Sequence, residues 1–222
     1  MANPQSADIE AQDEAAREEV RALRRVITEA DSDTMRLLLT EARTHNGWQD
    51  RDVSEETLRQ LYDMAKMGPT SMNQQPMRLI FVKSAENKEK LAALAAAGNK
   101  PKVLAAPVCA IVGYDLEFYE RLADVFPPNP NAREIFADKP DVTATHAFRN
   151  GTLQGAWFMI AARALGLDVG AMSGYDHDGV DQAFFAGTAV KSNFLCNLGY
   201  ADETKIFRRL PRLPFDEVAS II

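Results

Sequence analysis

The chain has 222 residues, 46% of them hydrophobic, with 25 Lys and Arg against 32 Asp and Glu for a formal charge of −7. That is enough apolar material for one full core, and the acidic balance excludes a general nucleic-acid or membrane-surface binder while leaving room for a local basic patch that takes one phosphate. Cys109 and Cys196 lie in the apolar runs PVCAIV and NFLCNL without zinc or redox spacing, and no apolar signal core or membrane-length span appears, so a soluble cytoplasmic protein is expected.

Residues 1–32 read as an N-terminal helical extension. After a polar start, ADIEAQDEAAREEVRALRRVITEA carries one apolar stripe, Val20, Leu23, Val26 and Ile27, too narrow to anchor a helix by itself, so it is an appendage or lies on a partner. The main domain is expected over 33–222. A helix over 33–42 turns Met35, Leu38, Leu39 and Ala42 inward and stops at Asn46-Gly47. Ser54 caps the next helix, with Glu55 and Glu56 in its first turn and Leu58, Leu61, Tyr62 and Ala65 at helical spacing. Gly68-Pro69 ends it, and LIFV at 79–82 reads as a strand. SAENKEKLAALAAAGN then reads as a helix and VCAIVG at 108–113 as a second strand. Residues 115–125 look helical and FPPNPN a loop. The stretch from about 143 to 166 is apolar on most sides and reads as the central buried helix. A turn over 170–174, a helix over 177–186, a strand near 194–198 and a proline-punctuated tail complete a mixed α/β layer pattern without repeats.

No G-x-G-x-x-G, P-loop or G-x-S-x-G is present, and His45, His146 and His177 sit in unrelated contexts with no nucleophile elbow. What stands out is a set of polar corners: RTHNGW at 43–48, GPTSMNQQP at 68–76, GNKPK at 98–102, AMSG at 171–174 and RRLPRL at 208–213. Each alone is a cap or a turn. Together they supply cations, backbone donors and small residues beside an apolar helix, which suits a ligand with a phosphate at one end and a flat polar ring at the other.

In order and spacing these corners resemble the FMN-dependent nitroreductase superfamily over residues 34–222. ARTHNGW, YDMAKMGPTS, ATHAFRNGTLQGA, RALGLDVGAMSG, AFFAGTAVKSNFLCNLGY and RLPRLPFDE are most similar to its malonic semialdehyde reductase (3-hydroxypropanoate dehydrogenase) branch of bacterial uracil degradation. The resemblance implies an α+β, three-layer fold, with a mostly antiparallel central sheet flanked by helices, and a homodimer with FMN at its interface. It implies ping-pong hydride transfer from NADH or NADPH to a small aldehyde, on the flavin and without a protein acid–base pair. A broad nitro- or quinone-reductase, or a flavin-binding protein with little turnover, are the alternatives.

By position, the resemblance assigns Arg43, His45, Lys102 and Arg212 to the phosphate, with Arg209 as a second candidate. It sets Pro69, Thr70, Ser71 and Asn73 against the flavin from the other subunit, Asn99 at the ring's pyrimidine end, and Ser173 and Gly174 beside N5 and O4. Gly47 stands where many relatives have Lys or Arg, which removes one cation. Ala171 and Ser173 stand in the turn where many relatives have Pro and Glu, so only the backbone role carries over. For the substrate carboxylate, Arg149 and Asn150 at the start of the apolar helix are the candidates. An Arg in an apolar segment needs an anionic partner, either the substrate or an internal carboxylate such as Asp141.

Overall fold

The computed structural model describes residues 4–222, with side chains from residue 9 on; residues 1–3 of the expected extension lie outside the described residues. The chain divides into two compact units after Glu41. In the first, α1 (Pro4–Val26) is the charged helix that the sequence predicts. α2 (Ser32–Met35) begins where the Asp31 carboxylate accepts the backbone N–H groups of Asp33 and Thr34, donors that a first helical turn leaves unpaired. From Arg36 to Thr40 the turns widen to the π form, and Glu41 N–H reaches the Arg36 carbonyl at 2.9 Å. Met35 and Leu39, expected inward, are exposed, and Leu38 is half-buried. The widened turns break the 3.6-residue period on which that expectation stood.

In the second unit, α3 (Glu55–Ala65) starts at Ser54, whose hydroxyl accepts the Thr57 N–H at 3.0 Å, and buries Leu58, Leu61 and Ala65. β1 (Met77–Val82) follows. The single helix expected over 84–99 is two, α4 (Ala85–Leu94) and α5 (Lys100–Ala105), because Ala95 leaves the helix extended and bridges Tyr175. β2 (Val108–Asp115) leads into a short 3₁₀ turn over Phe118–Arg121 and α6 (Leu122–Val125). Then come α7 (Pro140–Ala164), β3 (Asp168–Met172), α8 (His177–Phe184), β4 (Val190–Gly199) and α9 (Phe215–Val218). The turn expected at 170–174 is therefore mostly strand: Gly170, Ala171 and Met172 pair with Asn197, Cys196 and Leu195.

The four strands form one antiparallel sheet in the order β1-β2-β4-β3. Alternation along central β2 sorts two cores. Val108, Ala110 and Val112 pack with Leu58, Leu61, Phe158 and Ala162 of α3 and α7, whereas Cys109 and Ile111 pack with Leu91, Val103 and Val180 of α4, α5 and α8. Helices thus cover both faces, the three-layer α+β arrangement that the resemblance implies. α7 approaches the sheet closely because Gly151 and Gly155 face it. A Cβ there would stand 2.8 Å from Tyr114 Cβ and 2.6 Å from the Phe194 ring. The helix is less enclosed than its composition suggests, since Phe148, Leu153 and Trp157 are exposed.

Candidate functional site

The basic motif at 43–48 runs beside the edge strand β3. Thr44 bridges Val169 in parallel, His45 N–H donates to the Val169 carbonyl at 2.9 Å, and Trp48 bridges Ala201 on the other side. This seats His45 in the interior, where Nε2 meets the Asp168 carboxylate at 3.1 Å. Burial would raise the Asp168 carboxyl, but the hydrogen bonds from His45 and the Ala201 N–H, with the nearby positive charge, outweigh it and hold it below its ordinary value. His45 Nδ1 is buried without a hydrogen-bond partner.

The tail meets the same edge. Arg43 donates to the Phe207 carbonyl, and Arg209 Nη2 donates to the Ala42 carbonyl at 3.3 Å. Arg43 and Arg209 are therefore brought together, whereas Arg212 bonds nearby carbonyls of its own segment, those of Leu210 and Pro211. Gly47, the apparent loss of a cation, lies under the stem of Lys205, and a Cβ on Gly47 would stand 2.3 Å from Lys205 Cδ. Lys205, far along the chain in no recognisable motif, packs there while its ammonium pairs with Asp202 at 3.3 Å.

A second group continues from the first through β3. The Gly170 position lies against the His45 carbonyl and faces Asn197 across the β3–β4 ladder. Asn197 Nδ2 donates to the Lys102 carbonyl at 2.9 Å, and Lys102 Nζ donates to Asn99 Oδ1 at 3.2 Å. Asn99 Nδ2 in turn donates to the Gly174 carbonyl at 3.0 Å. A side chain at 174 would crowd that amide, because a Cβ would stand 2.9 Å from Asn99 Nδ2. These contacts link Arg43 and His45 to Lys102, Asn99 and Gly174 through the buried Gly170 and Asn197, with Ser173 and Gly174 exposed at the far end.

The corner at 69–75 is built differently. Met72, Asn73 and Gln75 all have positive φ, between 45° and 52°, and side chains hold this strained backbone in place. Thr70 Oγ1 accepts the Gln75 N–H at 3.2 Å, and Asn73 Nδ2 donates to the Val125 carbonyl at 2.8 Å. From α7, Asn150 Oδ1 accepts the Ser71 N–H at 2.8 Å, while Asn150 Nδ2 donates to Gln74 Oε1 and to the His146 carbonyl, each at 2.9 Å. That order fixes every amide. Because the Ser71 N–H can only donate, Asn150 presents its oxygen there and its NH₂ to Gln74. Gln74 must then turn its own NH₂ to His146 Nδ1, 3.2 Å away, so that Nδ1 is an acceptor without a proton. Much of the corner's polarity serves its own shape, leaving Pro69 and the Ser71 and Asn73 side-chain surfaces exposed. None of its hydrogen bonds reaches Arg43, His45, Asn99, Lys102, Ser173 or Gly174 among the described residues.

The two substrate candidates separate. Asn150 is buried and spends both polar atoms on the corner and its own helix, so its direct role is to hold Ser71 and Gln74. Arg149 is exposed and forms no ion pair with Asp141 or any other carboxylate among the described residues. The premise that it is buried fails, because the helix turns position 149 outward. Two clefts, of about 500 and 850 Å³, flank Tyr62 and Phe81 near the β1 edge, and none of the candidate residues lines either.

The nitroreductase family model matches residues 39–200. A protein of Caulobacter sp. (strain K31), provisionally named an NADH dehydrogenase/NAD(P)H nitroreductase, is 53% identical over 86% of this chain and 98% of its own. A protein of Ralstonia pickettii with the same provisional name, HadB, is 52% identical over 83% and 95%. Among solved structures, a nitroreductase-like protein from Exiguobacterium sibiricum 255-15 in complex with FMN superimposes with a TM-score of 0.76 at 21% identity, over 87% of this chain and 99% of that one. That last likeness bears on the fold.

Proposed function

This chain belongs to the nitroreductase family, and from that premise we propose that it is an FMN-dependent NAD(P)H oxidoreductase, working as a homodimer, that reduces malonic semialdehyde to 3-hydroxypropanoate. The observation that carries the reading is the chain of contacts from Arg43 and His45, through the buried Gly170 and Asn197, to Lys102, Asn99 and Gly174. Its donor set fits FMN. Arg43, Arg209 and Lys102 offer the guanidinium and ammonium groups that bind a phosphate, with Arg212 in reserve on the same tail. His45 adds a ring nitrogen, Nδ1, that has no partner within the described residues while Asp168 holds the opposite nitrogen. Asn99 and the backbone at Ser173 and Gly174 offer groups to a ring edge, and Gly174 leaves that approach open. FMN when bound supplies the hydride chemistry, so the absence of a protein acid–base pair here is no obstacle.

The homodimer follows from the separation of the two groups. Pro69, Thr70, Ser71 and Asn73 belong to a corner that does not connect to the cationic edge of its own chain, and a second chain would bring them together. Large apolar residues on the larger unit, Phe148 and Trp157 of α7 and Phe207, Leu210 and Leu213 of the tail, are exposed and give such a pairing its contact surface. For the substrate, Arg149, exposed and without an ion pair among the described residues, is the cation we assign to the carboxylate of a small anionic aldehyde. The broad nitro- or quinone-reductase reading stands second, favoured by the names of the two relatives. The purified protein should be yellow with flavin absorbance bands; a colourless protein that takes up no added FMN refutes the cofactor. Steady-state oxidation of NADH and NADPH with malonic semialdehyde, and separately with a nitroaromatic, then decides between the two substrate readings.

A further inference from the structure

α1 leaves its apolar side chains uncovered: Ile9 is 60% exposed, Val20 56%, Leu23 61% and Ile27 55%. Ile27 lies one residue past the helix end but still donates its N–H to Leu23 at 2.9 Å. With Ala16, these residues follow one another at the three- and four-residue steps of a heptad repeat, in which Val20 and Ile27 take the a positions and Ile9, Ala16 and Leu23 the d positions. Val20 and Ile27 at a around Leu23 at d give the C-terminal part of the stripe the pattern that suits a parallel two-stranded coiled coil, whereas Ile9 and Ala16 take the other d positions. Asp13 takes the remaining a position, and a polar residue there fixes register at a cost in stability.

The charges say what covers this stripe. On the outer face they close within the helix: Glu14 pairs with Arg17 and Arg21, and Glu18 with Arg21 and Arg25. Glu19 and Arg24, which flank the stripe at the g and e positions, make no ion pair among the described residues. In a parallel pair, a g residue of one helix faces the e residue five positions later on the other, so Glu19 meets Arg24 of the second copy, twice by symmetry. An anionic lipid surface would call for basic residues along the polar face, whereas this helix interleaves both signs.

We infer that α1 pairs in parallel with α1 of a second copy of this chain, through Ile9, Ala16, Val20, Leu23 and Ile27, with Glu19–Arg24 crossing the seam. Three heptads with an Asp in the seam make a weak pair alone. Tethering in an already assembled particle supplies the millimolar effective concentration that holds it. The inference does not depend on the cofactor or substrate.

Cross-linking of the full chain tests it. Both native cysteines are buried, so an introduced thiol reports alone. Under mild oxidation Leu23→Cys should give a covalent dimer roughly tenfold faster than Arg21→Cys on the outer face, because only the seam brings identical positions within disulfide reach. Adding Glu19→Arg to Leu23→Cys should slow the reaction roughly fivefold through like charges, and adding Arg24→Glu as well should restore it. Equal rates at 23 and 21, or a rate indifferent to the charge reversal, overturn the pairing. Sedimentation of Leu23→Asp keeps this apart from the homodimer of the larger unit. A dimer that persists while Ala16→Cys no longer cross-links in that background supports both contacts. A monomer means that no other contact assembles the particle, and it overturns the tethered pairing proposed here together with the homodimer of the larger unit.

Discussion

Replacing Asn150 with Ala removes the α7 side chain that holds both Ser71 and Gln74 of the 69–75 corner, leaving His146 on Gln74 as the other tie. Asn150 is 1% exposed and makes three hydrogen bonds, to Ser71 N–H, Gln74 Oε1 and the His146 carbonyl. The His146 carbonyl keeps its helical partner, so its loss is minor. Gln74 is 2% exposed, and water cannot replace its lost donor, whereas the exposed Ser71 can recover part of its bond from solvent. At about 1–3 kcal/mol for each buried group left unpaired, the substitution should cost about 2–4 kcal/mol in unfolding free energy, a large share of a domain's usual stability. Urea unfolding followed by circular dichroism measures this. Asn150→Asp probes the bond order itself. A carboxylate still accepts from Ser71 but cannot donate to Gln74, so Gln74 should turn over and His146 Nδ1 should change from acceptor to donor. Imidazole nitrogen shifts in NMR spectra report that change. A cost for Asn150→Ala below about 1 kcal/mol, or a proton on His146 Nδ1 in the unsubstituted protein, would refute the reasoning.

Other substitutions test the cationic edge and the substrate. Arg43→Ala should weaken FMN binding roughly ten- to a hundredfold, the effect of losing a charge-assisted contact of about 1.5–3 kcal/mol; full flavin retention on dilution removes Arg43 from the phosphate site. Arg149→Gln should lower kcat/KM strongly for malonic semialdehyde while sparing a neutral quinone, and a parallel fall in both activities and in thermal stability would make the residue structural. The Asp168 carboxyl lies below its ordinary value of 3.8, so its contribution to stability is complete above that pH and is lost as pH falls through the lower native value. His45→Gln takes away the imidazole behind that shift and should flatten the acid limb of a stability-against-pH profile; an unchanged limb shows that other groups set it.

The strands at 77–82 and 108–115 were legible because apolar runs between Pro or Gly boundaries admit little else. The cationic edge was legible only as separate corners, and the contacts that join them, Asn197 to Lys102 and Gly170 to His45, are set by strand register that no local pattern encodes. β3 resembles a turn in sequence because Gly170 inside it and Gly174 just beyond it look like turn punctuation; Gly170 is there instead for the close approach of the His45 backbone. Arg149 was read as buried because the composition of α7 is apolar throughout, and composition does not say which face meets the sheet. The corner at 69–75 was recognised as special, but most of its polar groups are answered from within, by Thr70, Asn73, Gln74 and Asn150. Hydrogen-bonding capacity counted along a sequence does not distinguish groups offered to a ligand from groups that hold a positive-φ backbone in place.

Gly47 and Lys205 carry a consequence for how this chain can change over generations. The stem of Lys205 occupies the space that any side chain at 47 would enter, and the Asp202 N–H bonded to the Gly47 carbonyl at 3.1 Å keeps the two segments together. The two positions are therefore epistatic. Introducing Lys or Arg at 47 collides with Lys205 where it now lies, while trimming Lys205 first strips a positive charge from the neighbourhood before its replacement arrives. Either order passes through a handicapped intermediate. Descendants of this sequence are expected to keep the glycine and the distant lysine as a pair, or to exchange both, and libraries that vary position 47 should enrich for larger residues mainly when position 205 is varied with it.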